Sequence, residues 1–430
     1  MIKRFARLFV ASLLATLSRG IIRKYHPKII MVTGSVGKTS TKDAIATALS
    51  STYYLRKSEK SFNSEFGVPF TIIGAENPWT SVFAWLRVFR QAFALLLLPS
   101  HYPKLLVLEV GADRPGDLAR ILRIATPDVV VVTRLPEVPV HVEAYATPQA
   151  VREEEFAPAY ALAPAAPLII SSDGHHARAM AARLPVRVTT YGFQQDAQVH
   201  LSNPRLLLEE ERPVGMQADV RIGDFSGVIS VRGAVGRQQL APAAAALATA
   251  VALGVAPAEA LAGTSAYVPP PGRTRIFPGV CGSMLIDDSY NASPAAAEEA
   301  LEALRTLPQV TRRIAVLGDM LELGRYSVEE HARVGRLVAE VADVVIAVGI
   351  RARGLAAAAR DAGLPEESVQ TFDSAVEAIP AITTLIQQGD ALLIKGSQSM
   401  RMERVVEALL AKQEDVAQLV RQDREWKRRP

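Results

Sequence analysis

The chain has 430 residues, too many for a single hydrophobic core and enough for two or three domains. With 49% apolar and 21% charged residues it cannot be a disordered polyelectrolyte, and its net charge of +4 comes without the aromatic-interleaved basic cluster of a nucleic-acid binder. The single cysteine, Cys281, excludes an internal disulfide and every cysteine-based zinc framework, points to a reducing, cytoplasmic setting, and reads as a small strand residue.

Residues 1–27 alternate apolar groups (Phe5, Leu8, Phe9, Leu13, Leu14, Leu17, Ile21) with cations (Lys3, Arg4, Arg7, Arg19, Arg23, Lys24). The uncharged run between Arg7 and Arg19 is much shorter than the ~20 residues a membrane span needs. No A-x-A cleavage site follows, against a signal peptide. The pattern predicts a short amphipathic helix, either packed on its own domain or lying on a membrane surface. Residues 82–98 are a second apolar stretch, with Trp85, Phe89, Phe93 and Leu95–Leu98, interrupted by Arg87 and Arg90. A transmembrane path would be costly for two arginines, whereas an interfacial helix tolerates them. Residues 1–24 and 82–98 are therefore a candidate peripheral membrane contact.

From Lys28 the pattern is α/β. Unbroken apolar runs at Ile29–Val32, Leu105–Val110, Val129–Val132 and Leu168–Ile170 predict strands of a parallel sheet buried on both faces. Gln217–Ile222 and Gly227–Val231 predict a small β patch, and Leu240–Ala262 an Ala-rich helical stretch. Pro269-Pro270-Pro271-Gly272 then breaks the chain, after which Met284–Asp287, Ile314–Leu317, Val344–Val348 and Leu392–Lys395 predict a second open α/β sheet. The expected organisation is a helix over 1–27, a P-loop domain over 28–268 and a Rossmann-like domain over 269–430.

The strongest chemical signal is Thr33-Gly34-Ser35-Val36-Gly37-Lys38-Thr39-Ser40, between a predicted strand and a predicted helix. Glycines let backbone N–H groups turn inward around phosphate, and the helix N-terminus adds a favourable field. Lys38 is placed to reach the β- and γ-phosphates, and the Thr39 hydroxyl to ligate Mg²⁺. Val32 stands where the general GxxxxGK[ST] pattern has its first glycine. Glu109 ends a buried strand, where a carboxylate lies over the nucleotide crevice and can hold a metal. His141 follows in a polar loop; alone, such a histidine is usually solvated.

Thr33–Ser40 resembles the short phosphate loop TGxxGKT[ST] of the Mur ligases. Asn63-Ser64-Glu65-Phe66-Gly67-Val68-Pro69 is similar to that family's N-x-x-x-G-V-P stretch, and Glu109-Val110-Gly111-Ala112 to its E-x-G-A strand end. Ile286–Pro294 (IDDSYNASP), Val316–Gly324 (VLGDMLELG) with His331, and Lys395-Gly396-Ser397 resemble the branch that adds D-alanyl-D-alanine to a UDP-muramoyl peptide during peptidoglycan precursor synthesis. These matches run in the family's order from about residue 28 to residue 410.

The resemblance implies an ATP-dependent ligase. A peptide carboxylate attacks the γ-phosphate, and a dipeptide amine then displaces phosphate from the acyl phosphate. Catalysis is then positioning and charge neutralisation. It also implies that Gly34–Ser40 bind ATP, that Thr39 and Glu109 hold one magnesium, and that His141 ligates a second. Arg273 and Asp288 would reach the nucleotide, while Asn63, Asn291, Asp319, Glu322, Lys395 and Ser397 would lie towards the peptide substrates. The enzyme would act as a monomer.

Several positions depart from the family. Glu155, fourteen residues after His141, falls where relatives carry a carbamylated lysine. Glutamate presents a native carboxylate on a shorter stem and is a candidate metal ligand; the alternative is that Glu153-Glu154-Glu155 is a solvated acidic face. Gly236-Arg237-Gln238-Gln239 stands where relatives have His-Asn after Gly-x, Pro242 replaces an asparagine, Arg275 an acid and Gln398 an arginine. Only 32 residues precede the phosphate loop, where relatives usually carry a UDP-sugar-binding domain. The alternatives are therefore a ligase for another carboxylate and amine, such as a folate or tetrapyrrole substrate, or a degenerate membrane-associated nucleotide-binding partner. A generic P-loop kinase or GTPase leaves the second α/β domain unexplained.

Overall fold

A computed structural model describes residues 2–59, 61–79 and 81–427, with the side chains of residues 2–6 and 424 outside the description. Phe5, Lys3 and Arg4 of the expected amphipathic pattern therefore lie outside the described side chains. By internal contacts the chain forms two compact units: Met1–Asn203 with Ala218–Ile229 and Ala241–Tyr267, and Pro204–Gln217 with Ser230–Leu240 and Val268–Pro430. The expected segments 1–27, 28–268 and 269–430 differ from this in two respects. The first helix packs as part of the first unit, and two segments of the 199–233 strands are counted with the second.

Strands β1 (Lys28–Thr33), β2 (Leu55–Lys57), β3 (Leu105–Glu109), β4 (Val129–Val132), β5 (Pro167–Ser171), β6 (Arg187–Gly192), β7 (Val199–Glu209), β8 (Arg212–Ile222) and β9 (Phe225–Arg232) form one sheet in the order β2-β3-β1-β4-β5-β6-β7-β8-β9. Pairing from β2 to β7 is parallel. β3 and β4 are buried along their whole length, and β1 everywhere but Lys28, which is why their apolar runs do not alternate. Helices α1 (Ile2–Tyr25), α2 (Lys38–Leu49), α3 (Gly67–Ile73), α4 (Val82–Leu97), α5 (Asp117–Leu122) and α6 (Pro148–Tyr160) belong to this unit. Leu14, Leu17 and Ile21 of α1 join the same apolar core as Val88 and Ala92 of α4 and Met31, Leu106 and Val130 of the sheet.

The expected β patch is a correction: β7–β9 continue the large sheet rather than standing apart. The Ala-rich helical stretch consists of two helices. It breaks between Leu240–Ala252 and Pro257–Thr264, where Gly254 turns left-handed (φ 92°) and Pro257 opens the second helix.

In the second unit, β10 (Arg275–Pro278), β11 (Met284–Asp288), β12 (Arg312–Gly318), β13 (Val344–Val348), β14 (Val369–Phe372) and β15 (Asp390–Lys395) form a sheet in the order β10-β11-β15-β12-β13-β14. All neighbours are parallel except the edge pair β10–β11. Cys281 is not a strand residue. It is exposed in the turn between β10 and β11, at φ 55°.

Candidate functional site

The phosphate loop leaves the buried end of β1 and enters α2. Gly34 adopts φ 116°, and a Cβ there would stand 2.3 Å from Thr133 Oγ1, so only glycine fits. Gly37 caps α2 in the left-handed region. The N–H groups of Ser35 and Val36 donate to the carbonyl of Arg134, at 3.1 and 3.4 Å. Lys38 Nζ folds back to donate to the Gly34 carbonyl. Thr39 Oγ1 lies 3.3 Å from Ser61 Oγ, and Ser40 is buried behind it in the first turn of α2.

Glu155 comes to this loop from α6. Its Oε2 accepts a 2.5 Å hydrogen bond from Ser35 Oγ, its main-chain carbonyl accepts one of 2.6 Å from Thr33 Oγ1, and its carboxylate stands 3.9 Å from Lys38 Nζ. Burial pushes its pKa upward, opposed by the Lys38 charge, the Ser35 hydrogen bond, and His141 and Arg152. The acidic triplet is therefore not a solvated face. Glu153 alone is exposed, Glu154 accepts from the N–H groups of Gly116 and Leu118 at the start of α5, and Glu155 points into the loop.

Glu109 ends β3 almost wholly buried, its N–H donating to Ser58 Oγ at 3.1 Å. Its carboxylate lies 3.9 Å from the ammonium of Lys42, which also stands 3.3 Å from Asp43. The sequence reading passed over Lys42; its signal is the i, i+4 spacing from Lys38, which puts both ammonium groups on one face of α2. A Cβ at Gly111 would stand 3.0 Å from Asn63 Nδ2 and 3.5 Å from Lys38 Cε, which places Asn63 beside the loop. His141 sits at φ 64° with Nε2 3.6 Å from Asp113. Among the described residues, Glu109, His141 and Glu155 do not converge into one three-ligand cluster; the only such grouping is Glu137 with His175 and His176. Hard oxygen donors from Thr39, Glu109 and Glu155 nevertheless suit magnesium, which binds through one or two carboxylates and takes its other ligands from phosphate and water.

In the second unit the expected substrate residues cluster at the C-terminal ends of β11, β15 and β12, where an open parallel sheet presents ligand sites. Lys395 Nζ donates to Asp288 Oδ2 at 2.6 Å and to the Asn291 carbonyl at 3.0 Å. Asp288 Oδ1 accepts from Thr274 N at 3.1 Å, and the Arg273 guanidinium lies over the Tyr290 ring, 4.1 Å from its centroid. Asp319 Oδ1 accepts from Ala352 N, and Ser397 Oγ from Leu321 N, both at 2.8 Å. Neutral His331, its pKa lowered by burial, accepts from Met320 N through Nε2 and faces the Ser327 carbonyl with Nδ1. The loop carrying Glu322, itself at φ 66°, is thus pinned from both sides. Asp288 and Lys395 are brought together with Asn291; Asp319 and Ser397 hold the neighbouring loop.

Of the departures, Gln239 donates to Thr274 Oγ1 at 2.7 Å and Arg275 to Gln418 Oε1 at 2.6 Å. Pro242 occupies the first turn of the Leu240–Ala252 helix, where its missing N–H costs nothing. The sequence reading also missed Arg421, which donates to the carbonyls of Ser289 and Tyr290 and pairs with Glu403 at 2.9 Å, fixing the segment that carries Asn291.

The chain resembles known proteins along most of its length. It is 29% identical over 412 residues to the UDP-N-acetylmuramoyl-tripeptide–D-alanyl-D-alanine ligase of Mycobacterium tuberculosis, covering 89% of this chain and 73% of that protein. It is 25% identical over 398 residues to the ligase of the same name from Bacillus subtilis, covering 92% and 79%. Among solved structures, MurF ligase from Thermotoga maritima in complex with ADP superposes with a TM-score of 0.75 at 25% identity, over 93% of this chain and 83% of that one. Folylpolyglutamate synthase of Mycobacterium tuberculosis, also with ADP, shares the fold at a TM-score of 0.63 and 18% identity. The Mur ligase middle domain matches residues 90–250 and the Mur ligase glutamate ligase domain residues 272–398, together about two thirds of the sequence; the chain belongs to the Mur ligase family.

Proposed function

We propose that this chain is an ATP-dependent peptide ligase that joins D-alanyl-D-alanine to a UDP-muramoyl peptide in cytoplasmic peptidoglycan precursor synthesis. The observation that carries the reading is the grouping at the C-terminal ends of β1 and β3. There Lys38 and Thr39 open α2, Glu109 ends the neighbouring strand beside Lys42, and Glu155 reaches the loop from α6. Such a grouping binds and neutralises a triphosphate and has no side chain set up as a nucleophile, as a transfer between two bound substrates requires.

The peptide carboxylate attacks the γ-phosphorus of ATP, and ADP leaves with the bridging oxygen. The amine of the dipeptide then attacks the acyl phosphate carbonyl, expelling phosphate and losing one proton. Lys38 leaves the Gly34 carbonyl to steady the phosphates, and Ser35 and Val36 turn their N–H groups from Arg134 towards them. Thr39 and Glu109 would hold one magnesium, with His141 and Glu155 offering ligands for a second; bound magnesium would offset the charge that builds on the transferred phosphoryl group. Glu155 serves as a built-in carboxylate where relatives use a carbamylated lysine. Arg273 and Asp288 would approach the nucleotide, and Asn63, Asn291, Asp319, Glu322, Lys395 and Ser397 the peptides.

The test is ADP release with a UDP-muramoyl tripeptide, with and without D-alanyl-D-alanine, with the product weighed by mass spectrometry. Release that depends on both substrates, with a product heavier by the dipeptide less water, is expected. Turnover only with a folate and glutamate would assign the chain to another ligase reaction.

A further inference from the structure

Helices α1 and α4 pack against each other, as an intramolecular cover for the sheet would. Yet they leave an apolar face outside. Their inner faces bury Leu14, Leu17 and Ile21 on one side and Val88 and Ala92 on the other. The helices approach closely at Gly20, where a Cβ would stand 2.9 Å from Leu96 Cδ2. Lys24 Nζ donates to the carbonyls of Leu95, Leu96 and Leu98 at 2.8, 3.1 and 2.7 Å, and Tyr25 OH to that of Leu95 at 2.8 Å, tying the C-terminal ends of the two helices together.

The outward side of α4 reverses the usual rule that a surface helix shows charge to water. At 100° per residue, Val82, Phe93, Leu86 and Leu97 fall within one narrow stripe, with Arg90, Phe83 and Arg87 beside it. All are exposed: Phe83 keeps 83% of its surface in solvent, Leu97 77%, Val82 69% and Leu86 61%. Leu98 and Trp79 extend the apolar surface beyond the two ends of the helix. On α1, Phe9 is 63% exposed and lies eleven residues before Gly20, hence on the edge that faces α4. Contiguous apolar surface of this kind marks an interaction site.

We infer that the outer face of α4, with the adjoining edge of α1, docks this chain in the plane of an anionic lipid surface. The charge pattern selects that occupant. Residues 1–42 and 77–108 contain no aspartate or glutamate, whereas the exposed faces carry Arg23, Lys24, Arg87 and Arg90; Arg7 of α1 pairs with Glu65 at 3.6 Å. The face is a convex helix stripe rather than a groove, and its two arginines flank the apolar side chains, where their stems can extend to phosphate headgroups. Trp79, 43% exposed, stands at its N-terminal end, where tryptophan is favoured at a membrane boundary, and its carbonyl accepts a 3.3 Å hydrogen bond from Trp85 Nε1, whose ring packs inward near Phe70. No described helix is long and apolar enough to cross a membrane, so the contact is in-plane.

The experiment is co-sedimentation of the full chain with vesicles of phosphatidylcholine alone or with phosphatidylglycerol added. Binding should rise at least about tenfold with the anionic lipid and fall as salt is raised. Two variants separate the apolar and ionic contributions: Phe83→Ser with Leu86→Ser and Leu97→Ser, and Arg87→Glu with Arg90→Glu. These side chains touch neither the core nor the phosphate loop, so thermal unfolding and ATP turnover should match the wild type while vesicle binding is lost in both. The inference is overturned if the wild type stays in the supernatant at low salt, if neutral vesicles bind it as well, or if both variants sediment like the wild type. It is equally overturned if sedimentation velocity shows self-association that the same substitutions abolish without vesicle binding, since the face would then belong to a second copy.

Discussion

Lys38 is the only cation within the phosphate loop, and its ammonium now rests on the Gly34 carbonyl, 3.9 Å from Glu155. Charge develops on the transferred phosphoryl group, so Lys38→Ala should lower steady-state ADP release by at least about 10²-fold with thermal unfolding unchanged; a drop of only a few-fold would remove Lys38 from its assigned role. Glu155 offers a different check. As a native carboxylate it needs no carbon dioxide, so activity should not respond to added bicarbonate. On the proposed role as a magnesium ligand, Glu155→Gln should raise the magnesium needed for half-maximal turnover by roughly tenfold, because one anionic ligand would be removed. An unchanged magnesium titration would contradict that role. Asp287 gives a pH signature independent of turnover. It is fully buried beside Ser289, and burial pushes its pKa up to about 6. The folded state therefore holds a proton that the unfolded chain, near 3.8, has already released. Stability contributed by the neutral carboxyl is greatest below pH 4 and declines as pH rises through 6, by on the order of 2–3 kcal/mol. Asp287→Asn should flatten that part of the stability curve, read as denaturant midpoints at pH 4.5 and 7.5; a slope equal to the wild type would refute it.

At the scale of elements, legibility followed burial. β1, β3, β4, β12 and β13 show as unbroken apolar runs because both faces of these strands are covered. β2 and β14 were not legible: at three and four residues, half in solvent, neither carries a periodicity long enough to read. β7 and β8 run for eleven residues each, but their mixed burial along the strand hid their place in the large sheet. The phosphate loop was visible because its glycines and lysine are adjacent in sequence. The Ser35–Glu155 hydrogen bond spans 120 residues and Arg421–Ser289 spans 132, and such contacts exist only once the sheet has brought its ends together. Arg421 is the most exacting of these. It is buried against Glu403 and holds the carbonyls of Ser289 and Tyr290. Arg421→Ala should cost about 3 kcal/mol, since Glu403 would keep only Arg401 as a partner, and should raise amide exchange over residues 289–291. Unchanged exchange there would show that the C-terminal segment does not fix this loop.

For the whole molecule, two α/β units each present polar side chains at the C-terminal ends of parallel strands, the phosphate loop in one and the Asp288–Lys395–Asn291 cluster in the other. Family membership settles the fold and the class of chemistry; the substitutions at Glu155, Gln239, Pro242, Arg275 and Gln398 mark where this chain has its own solutions. Three of them have a visible structural use: Glu155 on the loop, Gln239 on Thr274 and Arg275 on Gln418. The structure offers no account of Gln398, which is exposed in the turn after β15. The central claim is that a peptide carboxylate is activated by phosphoryl transfer before the amide forms, and isotope transfer tests it most directly. A UDP-muramoyl tripeptide whose terminal carboxylate is labelled with ¹⁸O is turned over with ATP and D-alanyl-D-alanine, and the released phosphate is analysed by mass spectrometry. Passage through an acyl phosphate moves one carboxylate oxygen to phosphorus, so each phosphate should carry one ¹⁸O for every amide formed. Unlabelled phosphate would mean that water, not the peptide, attacks ATP, and would contradict the ligase reading.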